Sequence, residues 1–299
     1  VILVNGFEND FVPEKGKAFN DARKVARAKM LDVANKLMGT NLDDSTIIIS
    51  TGGRYEYKNK GIDLFVDSLN RLRHDVRLER NVLAFIMVPA WMKEARVDLK
   101  KRLSSKKVET DPCENPRITH ELYNQDEDKV LNQMNWLGMH NAKDDKVKVV
   151  FVPCYLDGKD GIFNMHYYDL LIGNDLCAYP SYYEPWGYTP TESVAFHVPC
   201  ITTDLAGFGL WANSLKGSES QIVDGVRTIH RSDYNFDEVA DNICETIIDF
   251  ANMDDKTVAQ TRKNAAAVAE KALWKHFIKY YYEAYDVALS NARKRMEDK

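Results

Sequence analysis

Short apolar runs recur along this chain, most of them stopped by a turn residue. Thr46-Ile47-Ile48-Ile49-Ser50-Thr51 is mostly β-branched and ends at Gly52-Gly53. Residues 82–88 end at Pro89, residues 176–179 end at Pro180, and residues 146–152 and 198–203 repeat the pattern. Runs of this length with apolar residues on both faces fit strands of a parallel sheet that is covered on both sides. Between them lie segments of helical period, such as Ala22, Val25, Ala26, Met30, Val33, Ala34 and Leu37 ahead of Gly39, and Ile62, Phe65, Leu69 and Leu72 after Gly61. Parallel strands need long crossover connections, so the alternation points to an α/β fold: a parallel sheet with helices on both faces. Residues 167–172 read as a short helix. Helical segments at about 236–252, 256–272 and 274–295 close the chain. Gln221-Ile222-Val223 and residues 226–230, joined by Asp224-Gly225, have the form of a hairpin. Residues 90–145 are charged and punctuated by Asp111-Pro112 and Asn115-Pro116, with a helical stretch near 126–137. They are read as an inserted helical arm.

Residues 178–209 carry the densest chemical signal: A-Y-P-S-Y-Y-E-P-W-G-Y-T-P-T-E-S-V-A-F-H-V-P-C-I-T-T-D-L-A-G-F-G. The pattern is strand, loop, helix, strand, loop. Thr189 suits a helix cap, Pro190 its first turn, and Glu192 would sit in that turn. Glu184 would lie on the loop at the strand's carboxyl end, where open α/β sheets bind ligands, and the helix start offers N–H groups suited to phosphate. A second loop, Gly53-Arg54-Tyr55-Glu56-Tyr57-Lys58-Asn59-Lys60-Gly61, follows the strand at 46–51 and brings an Arg fork and a Lys point charge between glycines, which suits a diphosphate. Each feature also has a plain reading. The loop could be a solvated turn, the glutamates surface charges, and Tyr182 and Tyr183 core.

The remaining signals narrow the class. A net charge of −5 argues against nucleic acid or an anionic membrane as a partner. Cys113, Cys154, Cys177, Cys200 and Cys244 are widely spaced and lie mostly in apolar runs, as buried thiols of a reduced, cytoplasmic protein do. No apolar run reaches the length of a membrane span, and residues 1–4 lack the flanks of a signal peptide. The seven histidines show no metal-ligand spacing to one another. His197 reads as a capping or packing residue. Asp126-Glu127-Asp128 reads as a solvated helix face, and the basic run 100–107 as a solvated face or an oligomer contact, so a homo-oligomer is among the expected assemblies.

Taken together, Y-P-S-Y-Y-E-P-W-G-Y-T-P-T-E, residues 53–61 and I-T-T-D-L-A-G-F-G resemble glycogen synthase of the animal and fungal type, glycosyltransferase family 3. The resemblance covers most of the chain; the charged insert and the last helices match loosely. It implies the carboxyl-terminal half of a GT-B fold, a Rossmann-like domain that binds the nucleotide sugar. Residues 1–45 would be an interdomain segment and helix, and 46–299 the donor domain with an insert at about 90–145. The amino-terminal domain would be absent, leaving this piece inactive by itself. The implied reaction moves glucose from UDP-glucose to the non-reducing end of an α-1,4-glucan (glycogen) with retention and without a metal. By the same resemblance Arg54 and Lys60 hold the diphosphate, while Gly187, Tyr188 and Thr189 bring backbone and hydroxyl donors to it. Glu184 lies beside the glucose, Glu192 binds the ribose, and Tyr167 stacks on the uracil. Trp186, in the same loop, is taken as a further sugar- or base-facing ring. The helix at 259–272 carries only Arg262, Lys263 and Lys271, so strong activation by glucose 6-phosphate is not expected. A glucosyltransferase with another acceptor, or a non-catalytic nucleotide-sugar-binding or glycogen-associated scaffold, would use the same residues.

Overall fold

The computed structural model describes residues 3–297. The apolar opening run begins on residues 1 and 2, outside the described residues, and Leu3 and Val4 form no strand. In chain order the elements are α1 (Lys17–Met38), β1 (Ile47–Gly52), α2 (Ile62–Arg73), β2 (Val82–Met87), β3 (Met92–Ala95), α3 (Val97–Leu103), β4 (His120–Leu122), α4 (Lys129–Trp136), β5 (Val147–Val152), α5 (Tyr167–Leu171), β6 (Leu176–Ala178), α6 (Tyr188–Ala195), β7 (Cys200–Thr203), α7 (Gly207–Lys216), β8 (Val226–Ile229), α8 (Phe236–Ala251), α9 (Asp255–Lys271) and α10 (Trp274–Glu297).

Among the described residues the main sheet has six strands in the order β5-β2-β1-β6-β7-β8, every neighbouring pair parallel. The α/β class expected from the alternation is the fold observed. Side chains of each strand alternate between two buried faces, as parallel strands under helices on both sides must. On β1 and β2, Ile47, Ile49, Val82, Ala84 and Ile86 pack towards α2 and α8, while Ile48, Leu83, Phe85 and Met87 pack towards α1 and α3. The chain runs from β1 outwards to β2 and β5, then returns to place β6 on the other side of β1. That reversal opens a crevice above the carboxyl ends of β1 and β6, the switch point at which this class of sheet takes its ligands.

The lower edge of that seam is tied by Asp175. Its carboxylate accepts bonds from Arg23 (2.5 Å) and Arg27 (2.7 Å) of α1 and from the Ile48 N–H (2.8 Å) of β1. Burial pushes this carboxyl up, but the two guanidiniums and the N–H override it and hold it below the usual carboxylate range.

Three expectations fail here. Residues 90–145 are not a helical arm. They form an antiparallel ribbon of β3 and β4 with α3 packed against α1 and α4 against α2, so the insert closes on both faces of the domain. Val130, Leu131 and Met134 of α4 lie in the core. Asp128, expected in solvent, is 3% exposed. It caps α4 by accepting the Leu131 N–H (2.9 Å) and also takes the Tyr55 hydroxyl (2.6 Å), the role in which a short carboxylate is favoured. Nor is there a hairpin at Asp224-Gly225. Ile222–Asp224 is a single 3-10 turn in which the Asp224 carboxylate folds back on the Gln221 N–H, and β8 joins the sheet edge parallel to β7.

Candidate functional site

Both loops singled out by sequence rise from the crevice. The 53–61 loop leaves β1 and the 179–187 loop leaves β6, and they are joined where the Tyr182 N–H donates to the Asn59 carbonyl at 2.7 Å. The second loop is held from behind. Thr203 Oγ1 donates to the Ser181 carbonyl (2.7 Å), Glu184 N–H to the Leu205 carbonyl (3.2 Å) and Gly207 N–H to the Glu184 carbonyl (3.1 Å). The Arg231 guanidinium, from the segment after β8, donates to the Pro180 carbonyl and lies over the Tyr182 ring at 5.2 Å.

The structure brings Lys60 and Glu184 into direct contact: Lys60 Nζ donates to Glu184 Oε2, with side chains only 15% and 21% exposed. Arg54 stands outward with its side chain 78% exposed and pairs with Glu56 at 2.8 Å. Both cations and Glu184 therefore belong to one joined pair of loops, with Lys60 inside and Arg54 at the rim.

A cavity of about 630 Å³ opens beside them. Its wall includes Gly53, Arg54, Tyr155, Tyr167 and Thr189; Lys60, Glu184, Glu192 and Tyr188 are outside that wall. Tyr167, the first residue of α5, is half-buried. Its hydroxyl reaches so close to the β1 terminus that a Cβ at Gly52 would stand 3.1 Å from it. Thr189 is not the helix cap. The helix starts two residues earlier, with Gly187 as N-cap at φ 110°. That left-handed conformation favours glycine. Glu192 accordingly falls in the second turn, where Oε1 accepts the Tyr168 hydroxyl at 2.9 Å. Burial raises its pKa, and the Tyr168 bond works against that rise. Tyr188 is exposed at the helix start.

Trp186 needs correcting. Its ring is 5% exposed and packs edge-on against Phe208 (6.0 Å) and Phe277 (5.7 Å) and beside Trp211 (5.8 Å), so it is core beneath the loop and not a surface for a sugar or base. His197 packs as expected, stacked on Phe19 at 4.3 Å. Burial, with Arg262 and Lys15 adding to it, lowers its pKa to about 4.

Two features escaped the sequence reading. Tyr155 follows β5 and is 78% exposed at the cavity wall. The carboxyl-end rule that selected the other two loops would have selected this one as well. His120, Cys154 and Asp160 also come within 4.8 Å of one another, a proximity that the spacing of the histidines alone does not reveal. The histidine and aspartate donors are already engaged. His120 Nδ1 bonds Thr119 Oγ1 (2.8 Å) and Nε2 the Asp160 carbonyl (2.9 Å), and the Asp160 carboxylate accepts the N–H groups of Ile162, Phe163 and Asn164. The cluster reads as a satisfied loop anchor.

A family profile described as glycogen synthase matches residues 19–111 and 91–297. The chain belongs to the glycogen synthase family. Relatives of that family include glycogen [starch] synthase of Neurospora crassa, 28% identical over 83% of this chain and 42% of that protein. Isoform 1 of Saccharomyces cerevisiae is 26% identical over 83% and 44%, and the human liver enzyme 23% over 92% and 46%. The chain thus spans less than half the length of these relatives. Among solved structures it is similar in fold to WaaG, a glycosyltransferase involved in lipopolysaccharide biosynthesis (TM-score 0.51, 14% identity, 90% of this chain and 52% of that one). It is similar also to HepE of Anabaena in complex with UDP-glucose (TM-score 0.50, 16% identity, 97% and 57%). Among the described residues no helix is long and apolar enough to cross a membrane, and all five cysteines are buried free thiols.

Proposed function

We propose that this chain is the donor-binding domain of a retaining glucosyltransferase that moves glucose from UDP-glucose to the non-reducing end of an α-1,4-glucan. Residues 46–299 carry the nucleotide-sugar site, residues 1–45 link it to a second Rossmann-like domain elsewhere in the protein, and that second domain supplies the acceptor wall. The observation that carries the reading is the contact between Lys60 and Glu184, which unites a cationic loop and a carboxylate loop at the switch point. The cavity beside them is wide enough for a nucleotide.

In this reading Arg54 and Lys60 stabilise the negative charge that grows on the departing UDP, so fixed cations do the work that a metal does elsewhere. The N–H groups at the start of α6, following Gly187, face the phosphates together with Tyr188 and Thr189. Glu184 accepts the glucose hydroxyls, Glu192 the ribose hydroxyls, and Tyr167 stacks on the uracil. The bond from C1 of glucose to the phosphate oxygen breaks while the acceptor oxygen bonds C1 on the same face. The acceptor's proton passes to the leaving phosphate. The five buried thiols suit a reducing compartment.

Titration of the chain with UDP, in parallel with Arg54→Ala and Lys60→Ala, tests this. Each substitution removes a charge-assisted bond, so affinity falls about 10- to 100-fold. Affinity is the same in EDTA as in magnesium. Wild-type affinity in both variants would remove the donor-site assignment.

A further inference from the structure

The helix α5 opens with two tyrosines that point to different places. Tyr167 faces the cavity. Tyr168 turns away from it into an aromatic cluster: Phe196, just past the end of α6, stacks on it at 5.4 Å and 11°, Phe11 at 4.7 Å and 27°, and these two rings lie 6.2 Å from each other. Phe11 belongs to the irregular segment ahead of α1. That segment is anchored four residues earlier at Phe7, whose N–H donates to the Ala272 carbonyl (3.0 Å) and whose carbonyl accepts the Trp274 N–H (3.2 Å). Phe7 in turn meets Phe11 edge-on at 5.4 Å. The ring of Tyr168 is therefore held within this cluster, and its hydroxyl donates to one atom, Glu192 Oε1, at 2.9 Å.

We infer that Tyr168 is a positioning residue: packed against Phe11 and Phe196, it fixes one carboxylate oxygen of Glu192 and leaves the other to take ribose hydroxyls. The inference rests on the donor site proposed above. A carboxylate has about four acceptor positions, and a glutamate side chain has three torsions to restrain. One hydrogen bond from a ring packed in this cluster removes part of that freedom before any ligand arrives, which is how preorganisation raises affinity. Burial disfavours the charged form of Glu192 and raises its pKa, and the Tyr168 bond opposes part of that rise. The segment carrying Phe11 acts on the site through this ring without touching it.

The test is calorimetric titration with UDP and with inorganic pyrophosphate, which has no ribose, on the wild-type chain, Tyr168→Phe, Glu192→Ala, the double variant and Phe11→Ala. Tyr168→Phe keeps both stacks and loses only the hydroxyl. UDP affinity falls about three- to tenfold, the worth of one hydrogen bond, and pyrophosphate affinity stays at the wild-type value. In the Glu192→Ala background Tyr168→Phe has no further effect. Phe11→Ala shifts UDP affinity in the same direction by about two- to threefold and leaves pyrophosphate alone. An equal loss for both ligands would show a merely structural tyrosine and overturn the inference. So would an unchanged UDP affinity in Tyr168→Phe, or a loss that persists without Glu192. An unchanged affinity in Phe11→Ala would overturn the part given to the amino-terminal segment. Failure of the donor site itself reads differently: UDP then binds Arg54→Ala and Lys60→Ala as it binds wild type.

Discussion

Gly61 is where the two loops press together, and Gly61→Ala is the most direct way to pry them apart. Gly61 is the N-cap of α2, with φ 66° and ψ 30°. Such a left-handed conformation costs a residue with a Cβ about 1–2 kcal/mol. Space is the larger problem. A Cβ there would stand 2.0 Å from the Pro180 carbonyl oxygen, 2.8 Å from its carbon and 2.9 Å from Arg231 Nη1. None of these can step aside cheaply, since Pro180 is backbone and Arg231 is bonded to that same carbonyl. Ordinary contact distances would require the loops to part by roughly 1 Å or more. Overpacking of this kind adds about 1–3 kcal/mol, for a total of about 2–5 kcal/mol. Because Lys60 precedes Gly61 and Glu184 follows Pro180 on the same loop, the separation falls on their ion pair.

The assay is guanidinium unfolding with linear extrapolation, alongside UDP titration. Gly217→Ala is the control. Gly217 shares the left-handed φ, at +75°, but has nothing within 4 Å of its position for a Cβ. It therefore reports the conformational cost alone, about 1–2 kcal/mol, and leaves UDP affinity untouched. Gly61→Ala loses clearly more stability than the control and at least about tenfold in UDP affinity, the equivalent of one charge-assisted bond. If Gly61→Ala unfolds with the control and binds UDP as wild type does, the loops yield freely and the argument for a rigid junction is refuted.

Two further outcomes follow from the packing. Asp175→Asn strips two half-buried guanidiniums of their shared, buried counter-charge and costs about 3 kcal/mol at neutral pH. The folded Asp175 carboxyl titrates below its unfolded value, which lies at about 4. Its contribution is complete above that unfolded value and is lost as pH falls through the folded one. The wild-type and variant stability curves therefore converge in acid, and curves that stay parallel throughout the acid range would contradict the assignment. Trp186→Ala lowers stability by about 3–5 kcal/mol, as removal of a core aromatic does. An unchanged unfolding midpoint would return that ring to the ligand site.

The sheet and the positions of its two chemical loops were legible because their causes are local. An apolar run with no polar face must be buried on both sides, and a parallel strand needs a crossover, so Ile47-Ile48-Ile49 and the loop behind it are interpretable where they stand. What was not legible depends on partners distant in sequence. Trp186 looks the same beside Gly187 whether it faces a sugar or a core; Phe208, Trp211 and Phe277, all later in the chain, decide. Asp128 looks like solvent in its acidic run until Tyr55 arrives from another loop. Asp224-Gly225 fits a hairpin and equally a 3-10 turn closed by a left-handed glycine at φ 92°, and only the parallel neighbour β7 distinguishes them. Tyr168 and Glu192 carry no shared motif, and their bond exists because the segments around α5 and α6 pack in one cluster with Cys177 of β6.

The Lys60–Glu184 pair also bears on how the proposed site would order its ligand. A half-buried ion pair is a poor source of stability, since desolvation offsets most of the attraction. Its geometry is more informative. An ammonium has three donors, and Lys60 commits one to Glu184 Oε2. The carboxylate keeps Oε1 and a share of Oε2. A phosphate can therefore take the remaining donors of Lys60 while a sugar hydroxyl takes the remaining acceptor capacity of Glu184, and the pair need not break. Used in this way the pair is a spacer of fixed length, with a phosphate-binding end and a hydroxyl-binding end one hydrogen bond apart. In this reading Lys60 is turned inward to the carboxylate while Arg54 stands exposed at the rim.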